Sequence, residues 1–196
     1  MRVQVIDSGS YIYFIEDVYT AAECRRLLAH AEALGYAAAP VTTARGPQML
    51  REVRNNQRAM GDDAALAGAL FQRLRPHLPP TLMDWRLVGL NERLRWYRYD
   101  PGERFDWHRD GAFVRSPTER SLLTVMLYLS DDCDGGETLF RIDEDEADLI
   151  VVPKTGAALF FLHPVAHTGA VVTRGRKDVL RTDAMYVRSP ANIVPR

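Results

Sequence analysis

From residue 93 onward the chain is a succession of short β-branched and aromatic runs, cut at close intervals by glycine, proline and aspartate. The runs fall at 93–99, 121–130, 137–142, 149–152, 157–162, 167–173 and 179–187. Between them lie Asp100-Pro101-Gly102, Asp134-Gly135-Gly136, Pro153-Lys154-Thr155-Gly156 and Arg174-Gly175-Arg176, all turn-forming sequences. Many short strands at this spacing close on themselves as a sandwich or barrel.

The front of the chain reads differently. A strand over 11–15 is followed by Thr20 and Glu23, spaced as a capping box in which each side chain satisfies an orphan amide at a helix start. The predicted helix carries Cys24, Leu27, Leu28, Ala31 and Leu34 on one stripe and stops at Gly35. A second helix begins near Asp62-Asp63, shows Leu66, Leu70 and Leu74 on one face, and is closed by Pro76 and the Pro79-Pro80 pair. Helices at the front and strands behind make an α+β order. The expectation is a single domain over 1–196, with 1–85 as helical support and lid and 86–196 as the strand-built core.

Residues 36–61 show no period, broken by Pro40, Gly46 and Pro47. Within them Arg54-Asn55-Asn56-Gln57-Arg58 is too polar for its neighbours to bury. It reads either as a lid over a substrate mouth, with Asn56 and Arg58 reaching inward, or as a solvated loop. The acidic run 143–146 reads as a solvated loop between strands.

Composition narrows the function classes. In 196 residues, 25 Lys and Arg face 26 Asp and Glu, giving a formal charge of −1. That balance argues against bulk nucleic-acid binding and against a polybasic membrane surface. No apolar run approaches the roughly 18 residues of a membrane span. Cys24 and Cys133 are too few for a disulfide scaffold or a thiolate zinc site. With no signal-peptide pattern at the start, the expected setting is the cytoplasm. The sequence leaves the oligomeric state open.

Against that background the histidines stand out. His108-Arg109-Asp110 places an imidazole and a carboxylate at i and i+2, which share one face of an extended backbone. A third ligand would come from His163 or His167. Two His and one carboxylate on one side of an ion leave its other positions open, the facial arrangement of non-haem Fe(II) oxygenases. The pair His163 and His167 lacks the Glu of the helical zinc-protease pattern, and Pro164 disfavours a helix there.

Residues 93–187 resemble the Fe(II)/2-oxoglutarate-dependent oxygenases, in particular their prolyl-4-hydroxylase-like branch. Five ordered pieces carry the resemblance. They are Tyr97-Arg98-Tyr99-Asp100-Pro101-Gly102, then Trp107-His108-Arg109-Asp110, then the stretch 127–140 with its Gly135-Gly136 turn. The stretch 153–160 around Gly156 follows, and last comes 167–177, from His167 to Gly175-Arg176-Lys177.

The resemblance implies a double-stranded β-helix, a jelly-roll barrel, buttressed by the N-terminal helices. It implies Fe(II) on His108, Asp110 and His167, with 2-oxoglutarate and O₂ as co-substrates and ascorbate as an optional reductant. His167 is chosen over His163 because in this branch a basic residue follows the distal His by ten positions, which lands on Lys177. Lys177 is then the expected anchor of the far carboxylate, with Arg181 its rival. Four strand residues span about 13 Å, so both cations are not expected to grip one carboxylate. Tyr99, and next Tyr97, are expected to bond the co-substrate, and Thr124 and Tyr128 to line its pocket. The implied reaction hydroxylates an unactivated C–H bond of a small molecule, amino acid or peptidyl side chain, releasing succinate and CO₂. The alternatives are an oxidative demethylase of the same metal class and a cupin-like metal-binding jelly roll that does not use 2-oxoglutarate.

Overall fold

A computed structural model describes residues 1–43, 45–144 and 147–188. Asp145 and Glu146 of the acidic run lie outside the described residues. Two antiparallel sheets face each other. The larger is ordered Val3–Asp7, Ile12–Ile15, Ala158–Leu162, Glu119–Tyr128, Lys177–Val187, Arg93–Tyr99, Gln57–Asp62 and Ala37–Ala38. The smaller is ordered Phe105–His108, Ala166–Gly169, Thr138–Arg141 and Leu149–Val151. This is the expected jelly roll.

Side-chain alternation along the three central strands divides the molecule into layers. Leu94, Trp96, Leu123, Val125, Leu127 and Leu180 point outward into the main core. There they meet helix α1 (Ala21–Leu34), through Cys24, Leu27 and Ala31, and helix α2 (Ala64–Leu74), through Ala67, Leu70 and Leu74. Residues of opposite parity face the smaller sheet. Some of them, with Phe140 and Phe161, build a second apolar cluster around Tyr128 and Val179.

The capping box at the start of α1 is present. The Thr20 hydroxyl oxygen accepts from Glu23 N–H, and the Glu23 carboxylate accepts from Thr20 N–H at 2.8 Å. α2 starts one residue after Asp63, whose carboxylate accepts from Leu66 N–H at 2.8 Å. Gly156 locks the helical layer to the barrel. Its carbonyl accepts from both Val18 and Tyr19 N–H, and at φ +80° a Cβ there would lie 1.9 Å from Tyr19 O.

Three expectations are corrected. Residues 36–61 are not irregular, for they hold the hairpin Val41–Thr43 with Gly46–Gln48 and the strand Gln57–Asp62, which pairs along Arg93–Tyr99. The run 167–173 splits into Ala166–Gly169 and Val172–Gly175, which join different sheets. Leu34 is exposed rather than part of the α1 stripe. In the first two cases tertiary pairing overrode a locally weak pattern.

Candidate active site

The site sits between the two sheets, where the inner rows of the large sheet meet Phe105–His108 and Ala166–Gly169. Those two short strands pair, with His108 opposite His167. The register therefore brings together two side chains 59 residues apart. Asp110 follows the end of its strand, and its amide is held by the His163 carbonyl at 3.0 Å. Ligand atoms of His108, Asp110 and His167 all lie within 4.8 Å of one another.

Protonation follows from the partners. His108 Nδ1 lies 2.7 Å from Asp106 O, and His167 Nδ1 lies 3.0 Å from Val165 O. A carbonyl only accepts, so each Nδ1 carries the proton and each Nε2 presents a lone pair. Burial, then the neighbouring His167, pushes His108 down to about 3, and burial lowers His167 as well. For Asp110 burial acts upward, but the Arg181 guanidinium and the two imidazoles outweigh it and hold the carboxyl well below its usual range. Its oxygens lie 3.8 Å from His108 Nε2 and 3.6 Å from His167 Nε2. Three acceptors thus converge with no hydrogen between them, an arrangement that a divalent cation satisfies.

Behind Asp110 runs a chain of hydroxyls and one imidazole. Thr124 Oγ1 donates to Asp110 Oδ2 at 2.6 Å, which makes it an acceptor toward His163 Nδ1, 2.9 Å away. His163 Nε2 is then bare and accepts from the Ser121 hydroxyl at 2.8 Å, while Ser121 Oγ accepts from Phe113 N–H. Burial lowers His163 to about 4, which keeps it neutral. His163 is thus a buried support whose two ring nitrogens are both engaged.

A narrow cavity of about 40 Å³ runs inward from the triad between Tyr97, Tyr99, Phe105, Thr138 and Lys177. Lys177 is 2% exposed, and its ammonium donates to Gly136 O at 2.5 Å and lies 5.3 Å from the Tyr99 ring centre. No acidic side chain among the described residues pairs with it, and burial lowers it to about 8. Its seat depends on Gly136, at φ +72°, where a Cβ would meet Lys177 Cδ and Val172 at 3.1 Å.

Arg181 is differently placed. It lies 3.1 Å from Asp110 and 3.2 Å from Asp183, so its charge is already answered. Tyr99 is raised to about 12 by burial and keeps its proton. At Tyr97 burial acts upward too, but Arg54, Arg181 and Arg95 outweigh it and bring the hydroxyl down to about 8. Tyr128 bonds Thr138 at 2.8 Å and packs beside Lys177.

The polar stretch 54–58 is neither a lid nor a solvated loop. Arg54 is 4% exposed and stacks between Tyr97 and Phe105, with its guanidinium 4.3 and 4.2 Å from the ring centres. Asn56, fully buried, accepts from Arg54 Nε at 2.7 Å and so holds that arginine rather than reaching the mouth. Arg58 does line an open space on the solvent side of the triad. Sequence reasoning missed Arg54, Phe105, Thr138 and the supporting role of His163. Local pattern carries no signal for them, because each is defined by neighbours from distant segments.

Comparisons with known proteins agree with this geometry. Residues 94–182 match the 2OG-Fe(II) oxygenase superfamily. The chain is 25% identical to "Probable prolyl 4-hydroxylase 4" of Arabidopsis thaliana, over 90% of this chain and 67% of that protein. Its fold resembles the viral collagen prolyl hydroxylase of Paramecium bursaria Chlorella virus-1, at TM-score 0.64 and 20% identity, covering 94% of this chain and 99% of that one. It also resembles a Trichoplax adhaerens prolyl hydroxylase solved with a hypoxia inducible factor peptide, at TM-score 0.68 and 14% identity, covering 88% and 82%. The matched segment, which holds His108, Asp110, His167 and Lys177, is that of a 2OG-Fe(II) oxygenase, the enzyme class that couples Fe(II), 2-oxoglutarate and O₂, and the chain is similar to the prolyl 4-hydroxylases among them.

Proposed function

We propose that this chain hydroxylates a C–H bond of an amino acid, a peptidyl side chain or a small molecule. In this reading His108, Asp110 and His167 hold the iron, and Lys177 binds the far carboxylate of 2-oxoglutarate. One observation carries it: three converging ligand atoms of His108, Asp110 and His167 share one cavity with a buried ammonium that has no acidic side chain beside it among the described residues. A cupin-like site without 2-oxoglutarate has no use for that ammonium.

When bound, the iron supplies O₂ activation coupled to oxidative decarboxylation of 2-oxoglutarate. The chain's own residues do the rest. Asp110 brings a full negative charge, fixed by Thr124 and Arg181. The two imidazoles are held as Nε2 ligands by Asp106 and Val165. Lys177 and the Tyr99 hydroxyl orient the co-substrate. Phe105 and Phe161 pack on the rings of His108 and His167 and fix their orientation. The two free cysteines, Cys24 and Cys133, are in keeping with a cytoplasmic setting. No helix among the described residues is long and apolar enough to cross a membrane.

The test is anaerobic addition of Fe(II) and 2-oxoglutarate to metal-free protein. The charge-transfer band of the chelate is expected with the unaltered chain and lost with Asp110→Ala. A band of full strength in that variant overturns the ligand assignment.

A further inference from the structure

Outside the triad lies a second space, a vestibule of about 490 Å³. It shares Tyr97, Phe105, His108, Asp110 and Arg181 with the inner cavity, so whatever occupies it abuts the metal cluster from the solvent side. Its volume is in the range of ordinary small-ligand sites. Its charge is one-sided, with Arg54, Arg58, Arg95, Arg109 and Arg181 against Asp110 and Asp183.

The ion pairs divide these arginines into two groups. Asp183 takes Arg95 at 3.3 Å and Arg181 at 3.2 Å, and Asp110 takes Arg181 at 3.1 Å. Arg54, Arg58 and Arg109 have no ion pair among the described residues. Arg109 donates to the Pro164 carbonyl. Arg54 is the telling one: it is 4% exposed, and its Nη2 is buried without a hydrogen-bond partner. A guanidinium stripped of water and left short of acceptors is costly unless something else supplies them. Cofactor loading does not remove the excess. A divalent ion and the two carboxylates of 2-oxoglutarate cancel, and the far carboxylate belongs to Lys177 deep in the inner cavity.

We infer that the vestibule selects a carboxylate-bearing substrate, an acidic peptide or acidic amino acid, by pairing its anionic group with Arg54, Arg58 and Arg109. This deepens the proposed function and rests on it for where the reacting bond sits. Arg58 stands on Gln57–Asp62 opposite Tyr97 in register, and Arg54 is stacked on that same tyrosine. The two cations thus flank one wall of the vestibule. Arginine forks suit carboxylates by geometry as well as charge. The chain's overall charge of −1 confines the attraction to this mouth.

The test is calorimetry on full-length protein loaded with Zn(II), which is redox-inert. 2-Oxoglutarate is titrated first, and failure of that step counts against the co-substrate reading alone. Pentaglutamate, pentaglutamine, pentalysine and a five-residue oligothymidylate are then titrated into the loaded protein. Pentaglutamate is expected to bind about tenfold more tightly than pentaglutamine, with pentalysine not binding. That advantage should shrink between about 50 and about 250 mM NaCl. Arg58→Met and Arg109→Met should each weaken pentaglutamate severalfold without lowering the melting temperature. Arg54→Met, where loss of stacking endangers folding, is not needed. Equal binding of the two peptides, no binding of pentaglutamate, or an advantage intact in both variants overturns the inference. So does pentaglutamate binding only when 2-oxoglutarate is absent, or tighter binding by the oligonucleotide.

Discussion

Lys177 is a charged amine in an apolar seat, and its cost in the unliganded protein is measurable. Burial lowers it from 10.5 to about 8. Between those values the unfolded chain holds more protons than the folded one, so this group's contribution to stability rises with pH across that window. Below about 8 the penalty is present in full. Lys177→Met should therefore stabilise the metal-free protein at pH 7, by up to about 3 kcal/mol. The gain should fade as pH approaches 10. The same variant should raise the 2-oxoglutarate requirement at least about tenfold, because the anion loses its partner. Thermal melts at two pH values and a co-substrate titration read both effects. A variant that melts lower at pH 7 would falsify the account of Lys177 as an anion seat held at the expense of stability. That the position matters was legible only through the family resemblance, which places a basic residue ten positions after His167. That its charge stands unanswered, while Arg181 is paired with Asp110 and Asp183, depended on side chains from other strands.

Strand pairing turns such residues into machinery. Glu119–Tyr128 runs beside Ala158–Leu162 with Leu123 opposite Leu162. That register delivers His163, next along the chain, beneath Thr124, and Thr124 beneath Asp110. The relay exists only while both strands keep their places, since a one-residue slip turns every side chain to the other face. Thr124→Val removes the hydroxyl at nearly constant volume, takes one hydrogen bond from the Asp110 carboxylate and leaves one imidazole nitrogen of His163 unsatisfied. Metal affinity, followed by zinc or cobalt titration, should fall about tenfold or more. An unchanged dissociation constant would show that Thr124 merely fills space. The strand itself was readable from alternation in 121–130, but its hydroxyl could be assigned no partner from sequence.

Across the whole molecule the large sheet works as a partition. Its outer face binds the helices, and its inner face carries Tyr97, Tyr99, Thr124, Lys177 and Arg181. Packing and chemistry are therefore separable. Leu94 is fully buried on the helix side, one strand position from Arg95. Leu94→Ala should cost about 2–5 kcal/mol through lost contacts and a residual cavity. Its 2-oxoglutarate affinity, measured well below the lowered melting temperature, should stay within about twofold of the original, since sites without shared partners add nearly independently. A large loss of affinity in the folded variant would show that the two layers are coupled.

What the chain's own pattern determined was the class of architecture, and the family resemblance singled out the two His and one Asp that the fold brings together. Turn residues and alternation act within a few positions, and five ordered motifs survive any uncertainty about how strands pair. The capping box of α1 and the start of α2 were fixed for the same reason. The fate of 36–61 was settled only by the folded state, because a short polar strand gains its stability from the neighbour it pairs with. So was the burial of Arg54 between Tyr97 and Phe105, and so was the vestibule charge. Each depends on residues distant in sequence meeting across a low-dielectric gap, and that proximity is a property of the closed barrel.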